Sequence, residues 1–306
     1  MARHRWRSLL FAPGDRPDRV AKAFAAGADG VIVDLEDAVH ASHLDDARAA
    51  VPQALAQARR GVTRIVRINA AGDERHEADL DAVVGPWLDV VMLPKAESAA
   101  EVRAVDERIA AAERAAGLPA GRIALAPVVE SNAALRSVYD IARASTRVTA
   151  MGLASAEQGD LITDLGGVWT PDGRALHYAK SRFVSELRAA GDVVAIDGPC
   201  AALADDELLR AECRNSRVLG FDGKVAIHPR QVPAIRAAFV PSPDELAAAT
   251  SVVAAYRRAA EQGVGVIEHD GKMLDLANVR SAYRVIARAD DADDIDDGPE
   301  EKHAED

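Results

Sequence analysis

The sequence predicts a (β/α)8 barrel of the TIM type followed by a C-terminal helical extension placed to act as a lid. Three observations carry this reading. Apolar strand-like runs alternate with amphipathic stretches about eight times before residue 240. The 306 residues accommodate a barrel of ~250 residues and an extension beyond it. No predicted helix opens on GxGxxG or GxxxxGK[ST], so the runner-up, a doubly wound sheet, lacks the phosphate loop of its nucleotide-binding versions.

In order, strand-like Ser8–Ala12 precedes a helix over Asp15–Ala26, and strand Gly30–Leu35 precedes a helix over His43–Arg59. Strands Arg64–Ile68 and Val90–Leu93 are followed by helical stretches near Glu74–Val83 and over Ser98–Ala116. Strand Ile123–Val129 leads to a helix over Asn132–Ala144, and Val148–Leu153 leads to a loop and a helix through Ser185. Strands Val193–Ile196 and Lys224–Ile227 come with helices Asp205–Leu219 and Gln231–Ala238. After Pro241 come a helix over Asp244–Glu261, a Gly-rich turn, a small strand and turn in 266–275, and a last helix over Leu276–Ala289. The expected organisation is a catalytic barrel over 1–240, an extension over 241–289 and a disordered acidic tail over 290–306.

The formal charge of −12 is concentrated in that tail, where ten acids face Lys302, so the rest of the chain carries only about −3. Aromatics make up 4% of the residues and no basic stripe interleaves with them, which argues against nucleic acid. No apolar stretch is long enough for a membrane span or a signal-peptide core. Cys200 and Cys213 form no disulfide framework and have no metal-ligand spacing, so a cytoplasmic protein with two small core thiols is expected. Arg3, Arg5, Arg7, Arg16, Arg19 and Lys22 gather positive charge near the first loop, which suits an anionic small molecule.

The run Val31-Ile32-Val33-Asp34-Leu35-Glu36-Asp37 is where chemistry is expected, because an apolar strand ends in three carboxylates. In parallel barrels the reacting groups sit at the carboxyl ends of the strands. One acid there would be read as a helix cap (Asp37) or an arginine partner (Glu36); three together weigh against that. Other strand ends carry Arg67 and Asn69, Lys95, Glu130 with Ser131 and Asn132, then Glu157, Asp160 and Asp164, and His228. Oxygen donors without His–Cys pairs suit a hard cation, with Glu130 and Asp160 as candidate Mg2+ ligands. The planar fork of Arg67 suits a substrate carboxylate or a developing oxyanion. Lys95 reads as an ion-pair partner, His228 as a hydrogen-bonded rim residue, and His40 and His43 as solvated.

Over residues 7–288 the chain resembles the citrate lyase β-subunit-like branch of the HpcH/HpaI aldolase family. The resemblance rests on Arg7-Ser8-Leu9-Leu10-Phe11-Ala12-Pro13-Gly14, Asp34-Leu35-Glu36-Asp37-Ala38-Val39, Arg67-Ile68-Asn69, Pro94-Lys95 and Glu130-Ser131. It continues through Asp160-Leu161-Ile162-Thr163-Asp164-Leu165-Gly166, Gly220-Phe221-Asp222-Gly223-Lys224, Ile227-His228-Pro229-Arg230-Gln231 and Gly271-Lys272-Met273-Leu274-Asp275. It implies a barrel that binds Mg2+ through Glu130 and Asp160, holds substrate with Arg67, and keeps waters around the metal with Glu36 and Asp37. It further implies that Asp275 reaches a neighbouring subunit's site in a homotrimer or dimer of trimers. Pro13, Gly14, Arg16 and Lys22 would contact coenzyme A.

The implied reaction is cleavage of a β-hydroxyacyl-CoA of the malyl-, citramalyl- or citryl-CoA kind into a 2-oxo acid and a short acyl-CoA, with Asp275 as base. Its rivals are a malyl-CoA-type thioesterase, a metal-dependent 2-oxo acid aldolase without CoA, and a non-catalytic CoA-binding subunit. Two positions depart from the family pattern. Glu157, in Ala156-Glu157-Gln158-Gly159-Asp160, stands where the family usually has a glycine, and Leu44 stands where a basic residue is common.

Overall fold

The computed structural model describes residues 6–293. The chain divides into two compact units, one ending at Phe239 and one beginning at Val240.

In the first unit the elements run β1 (Ser8–Pro13), α1 (Pro17–Phe24), β2 (Gly30–Asp34), α2 (Leu44–Ala56), β3 (Thr63–Arg67) and α3 (His76–Val83). Next come β4 (Val90–Leu93), α4 (Ala99–Ala115), β5 (Ala124–Val129), α5 (Asn132–Arg136), α6 (Val138–Ala142), β6 (Ala150–Leu153) and α7 (Asp160–Asp164). The unit closes with α8 (His177–Ala190), β7 (Val194–Asp197), α9 (Asp206–Leu219), β8 (Gly223–Ala226) and α10 (Val232–Phe239). All eight strands are parallel and form a closed barrel in sequence order, β8 pairing back onto β1 with Leu10 opposite Ala226.

The strands read as continuous apolar runs because both faces are covered. Leu9, Ile32, Ile65, Val90 and Ala126 fill the barrel interior, whereas Leu10, Val31, Val33 and Val66 pack outward against the helices. Side chains cap several helices on the way out of the strands. Ser98 accepts from Glu101 N, Ser131 from Ala134 N and Asp205 from Leu208 N, which satisfies amides the first turn leaves unpaired.

Two predicted helices differ. The stretch 132–144 is two short helices separated at Ser137, whose hydroxyl bonds the Ala133 carbonyl and competes with the helical ladder. The helix expected to reach Ser185 begins at His177 and continues to Ala190, with Phe183 and Leu187 buried. Both cysteines are buried and free. Among the described residues no helix is long and apolar enough to cross a membrane.

The second unit is a helical hairpin around a β-hairpin: α11 (Pro243–Glu261), β9 (Ile267–His269), β10 (Lys272–Leu274) and α12 (Leu276–Asp293). A capping box between Ser242 and Glu245 starts α11, with Pro243 in the first turn. Asp270 and Gly271, with φ of 51° and 73°, make the tight turn that joins β9 to β10. Ala249 and Val253 of α11 pack on Val279 and Ala282 of α12. The last helix runs four residues beyond Ala289, into the segment expected to be disordered. Once a helix is nucleated, each added residue gains a backbone bond. The remainder of the predicted tail, 294–306, lies outside the described residues, as do Arg3 and Arg5.

Candidate active site

Parallel closure brings the ends of all eight strands to one rim, and register sets which side chains meet there. Asp34 lies opposite Arg67 on neighbouring strands. Arg67 donates from Nε and Nη2 to the two Asp34 oxygens, both at 2.6 Å, and its guanidinium rests 4.7 Å from the Phe11 ring centre. Its remaining nitrogen, Nη1, lies 3.2 Å from Glu36 and 3.7 Å from Asp37. The bidentate clamp expected for a substrate carboxylate is therefore already taken by Asp34, and Nη1 faces the two acids Glu36 and Asp37. Burial works against the Arg67 charge, yet Asp34, Glu36 and Asp37 raise its pKa on balance.

Asp34 also receives Glu36 N at 3.1 Å and Ala38 N at 2.9 Å, so it shapes the turn that presents the next two acids. Asp37 does not cap the next helix, since His40 caps the 3-10 turn that precedes α2. Glu36 is buried and Asp37 exposed. Lys95 donates from Nζ to Glu36 at 2.8 Å and from its backbone N to Glu130 at 3.1 Å. It holds a left-handed backbone (φ 51°), a strained conformation for a side chain of this size, just past β4. The expected ion-pair role of Lys95 is thus observed, and one residue links the two acids.

Burial is the first reason that Glu36 titrates above the ordinary glutamate range, partly offset by Arg67 and Lys95. Burial likewise pushes Glu130 up to about 7, with the Glu36 charge adding to the effect and the Lys95 amide opposing it. Glu130 sits one residue past β5. Asp160, at the first turn of α7, is exposed and makes no side-chain hydrogen bond among the described residues. Glu157 is exposed in the same loop. Among the described residues no three His, Cys, Asp or Glu side chains converge as a preformed metal cluster.

The first loop differs from expectation in two ways. Gly14 gives its N–H to the Asp34 carbonyl at 2.9 Å, and a Cβ there would stand 2.8 Å from that oxygen. Its glycine is explained by packing of β1 on β2, and its amide is not free for a ligand. Arg7 is buried at the start of β1, the end of the strand opposite the rim. Pro13 ends β1, while Arg16, in an ion pair with Asp18, and Lys22 are exposed along α1.

Asp275 belongs to the second unit. Its Oδ1 accepts from Ala277 N at 2.8 Å and Asn278 N at 3.2 Å, while its own N–H reaches the Asn278 side chain, so it caps α12. His228 caps a short turn through Arg230 N, His40 bonds Ser42, and His43 meets Asp15 at 3.4 Å, all on the surface. Asp164 receives Asn132 N and Nδ2. Asn69 bridges the Leu35 carbonyl and Asp79.

Sequence reasoning misses a buried charge cluster around Asp197, with Lys180 and Lys224. The signal that could have found it is Val194-Ala195-Ile196-Asp197, an apolar strand ending in an acid just as β2 does.

The profile of the HpcH/HpaI aldolase/citrate lyase family matches residues 7–229. The chain belongs to that family. Citrate lyase subunit beta of Leuconostoc mesenteroides subsp. cremoris is 36% identical over 284 residues, covering 92% of this chain and 93% of that protein. The L-malyl-CoA/beta-methylmalyl-CoA lyase of Cereibacter sphaeroides (strain ATCC 17025) is 34% identical over 305 residues, covering 93% and 94%. Among solved structures, the CitE protein of Mycobacterium tuberculosis, in complex with magnesium, acetoacetate and coenzyme A, superposes with a TM-score of 0.75 at 32% identity. That match covers 94% of this chain and 99% of the other. The HpcH/HpaI profile spans β1 to β8, so every barrel residue of the candidate site falls inside it.

Proposed function

We propose that this chain is a CoA ester lyase that cleaves a β-hydroxyacyl-CoA into a 2-oxo acid and a short acyl-CoA, with Mg2+ held by Glu130 and Asp160. The observation that carries the reading is an excess of carboxylate at the rim. Asp34, Glu36, Asp37 and Glu130 meet the two cations Arg67 and Lys95. One buried Glu36 oxygen, Oε2, makes no hydrogen bond and has only the Arg67 guanidinium beside it at 3.2 Å, and buried Glu130 accepts a single backbone N–H. Buried acids in that condition fit a divalent cation, and Mg2+ needs only one or two protein carboxylates beside water and substrate oxygens. The names of the relatives, citrate lyase and malyl-CoA lyase, point to the same chemistry.

When bound, the cation would supply Lewis-acid polarisation of the substrate's oxygens. Glu36, fixed between Arg67 and Lys95, and exposed Asp37 would orient water beside it. Arg67, held by Asp34 and Phe11 with Nη1 beside Glu36 and Asp37, would offset the negative charge that develops on the substrate's oxygens. Asp275 of a neighbouring subunit takes the hydroxyl proton with Oδ2, the oxygen its cap leaves open. The carbon bearing the hydroxyl becomes the carbonyl carbon of the 2-oxo acid. The electron pair of the broken carbon–carbon bond passes to the thioester enolate, which is reprotonated to acyl-CoA. Arg16 and Lys22, exposed on α1 beyond Pro13, suit the phosphates of coenzyme A. This division of labour requires a homo-oligomer, for which the family resemblance implies a trimer or dimer of trimers, and the two free buried thiols suit a reducing cytoplasm.

The deciding experiment offers malyl-CoA, citramalyl-CoA and citryl-CoA with Mg2+ or with chelator, follows 2-oxo acid and CoA species, and measures mass in solution by light scattering. Stoichiometric 2-oxo acid and acyl-CoA, lost on chelation, support the lyase. Free thiol without 2-oxo acid replaces it with a thioesterase, and a monomer removes Asp275 from the mechanism.

A further inference from the structure

On the side of the rim formed by β6, β7 and β8, Asp197 is fully buried at the end of β7. Its carboxylate accepts from Ser155 Oγ at 2.6 Å, Ser216 Oγ at 2.5 Å, Lys180 Nζ at 3.0 Å and Lys224 Nζ at 2.8 Å. Lys224 in turn meets the Gly198 carbonyl at 2.7 Å and Glu212 at 3.0 Å. Ser155 Oγ accepts Gly198 N at 3.1 Å, and a Cβ on Gly198 would lie 2.7 Å from Ser155 N, so the loops after β6 and β7 touch. Replacing such buried ion pairs with packed apolar residues is often neutral or stabilising. Stability alone does not account for the cluster, whereas its directional bonds fix the chain path where the loops begin.

The loop after β6 carries Asp160. It is a tight turn, with Gly159 N on the Ala156 carbonyl and α7 starting at Asp160. Side chains anchor it at two places: Ser155 on Asp197 at its start, and Asp164 on Asn132 at its end. Between them the side chains of residues 156–160 make no hydrogen bond among the described residues, and the one side chain that reaches this stretch is Thr163 of α7, whose hydroxyl bonds the Gly159 carbonyl at 3.1 Å.

We infer that Ser155 and the Asp197–Lys180–Lys224 cluster behind it are positioning residues for the metal site, setting the loop that presents Asp160. This rests on the reading of Asp160 as a Mg2+ ligand. Ser216 provides the internal control. It bonds the same carboxylate from α9, and its other side-chain hydrogen bond goes to the Glu212 carbonyl within its own helix and not to either rim loop.

The test compares Ser155→Ala, Ser155→Thr and Ser216→Ala in the full chain. Mn2+ affinity, read by electron paramagnetic resonance as a Mg2+ surrogate, and thermal midpoint are measured for each. Ser155→Ala is expected to weaken Mn2+ about tenfold, Ser155→Thr to recover most of that by keeping the hydroxyl, and Ser216→Ala to lower the midpoint while leaving Mn2+ affinity within about twofold. Unchanged affinity in folded Ser155→Ala, or equal losses in Ser155→Ala and Ser216→Ala, overturns the positioning role. Wild-type protein that binds no Mn2+ overturns the metal reading itself, and this inference with it.

Discussion

In the metal-free protein, replacing Glu130 with glutamine should remove a pH-dependent penalty on folding. Burial raises the Glu130 carboxyl from 4.5 to about 7. A tenfold change in proton affinity is worth about 1.4 kcal/mol, so the folded state disfavours ionised Glu130 by about 3 kcal/mol. The folded chain holds this proton more tightly than the unfolded chain. Stability from this group is therefore full below pH 4.5, falls as pH rises toward 7, and stays low above it. The substituted glutamine would keep the acceptor for Lys95 N without the charge. Thermal melts in EDTA should show wild type and Glu130→Gln close together near pH 4.5 and the variant roughly 6–12 °C higher at pH 8, at about 2–4 °C per kcal/mol. Adding Mg2+ at pH 8 should raise the wild-type midpoint and scarcely move the variant. A difference between the two proteins that is constant from pH 4.5 to 8 would refute the assignment of a buried, proton-holding carboxyl at position 130.

Asp275→Asn should leave the melting of the second unit nearly unchanged, since Asn caps a helix as well as Asp, while lowering kcat by at least about a hundredfold; unchanged kcat would leave Asp275 as a cap alone. Arg67→Lys loses the two-point bond to Asp34, so kcat/KM should drop on the order of a hundredfold and stability by about 3 kcal/mol, checked by steady-state kinetics and urea melts. Asp160→Asn should weaken Mn2+ binding at least about tenfold and Glu157→Gln less than about threefold. The reverse order in a calorimetric titration would move the ligand to Glu157.

A polar rim suited to a hard cation was readable because it depends on residue types at strand ends, and the family-level chemistry because ordered motifs resemble a known family. A run such as Gly30–Asp34, apolar and then acidic, announces a strand buried on both faces and a polar group at its rim, and eight such units in order announce closure. Lys95 as an ion-pair partner was legible for the same reason, whereas the pairing of Glu36 with Arg67 is the alternative that the three neighbouring acids were read against. The break at Ser137 was not, since one hydroxyl bond to a backbone carbonyl is invisible to helical periodicity.

Sequence by itself determined the barrel and which acids stand at the rim, because the periods of strands and helices are local properties of the chain, and it showed the family through the order and spacing of its motifs. Only tertiary structure decided how those groups are used. That Asp34 occupies the fork of Arg67 depends on the register of β2 against β3. The packing use of Gly14 depends on the approach of one strand to the next. The high pKa of Glu130 depends on burial among groups more than thirty residues away in sequence. The cluster at Asp197 joins residues from β7, β8, α8, α9 and the loop after β6. Each of these is a contact between segments distant in sequence, and desolvation and hydrogen-bond geometry are set only when such segments meet.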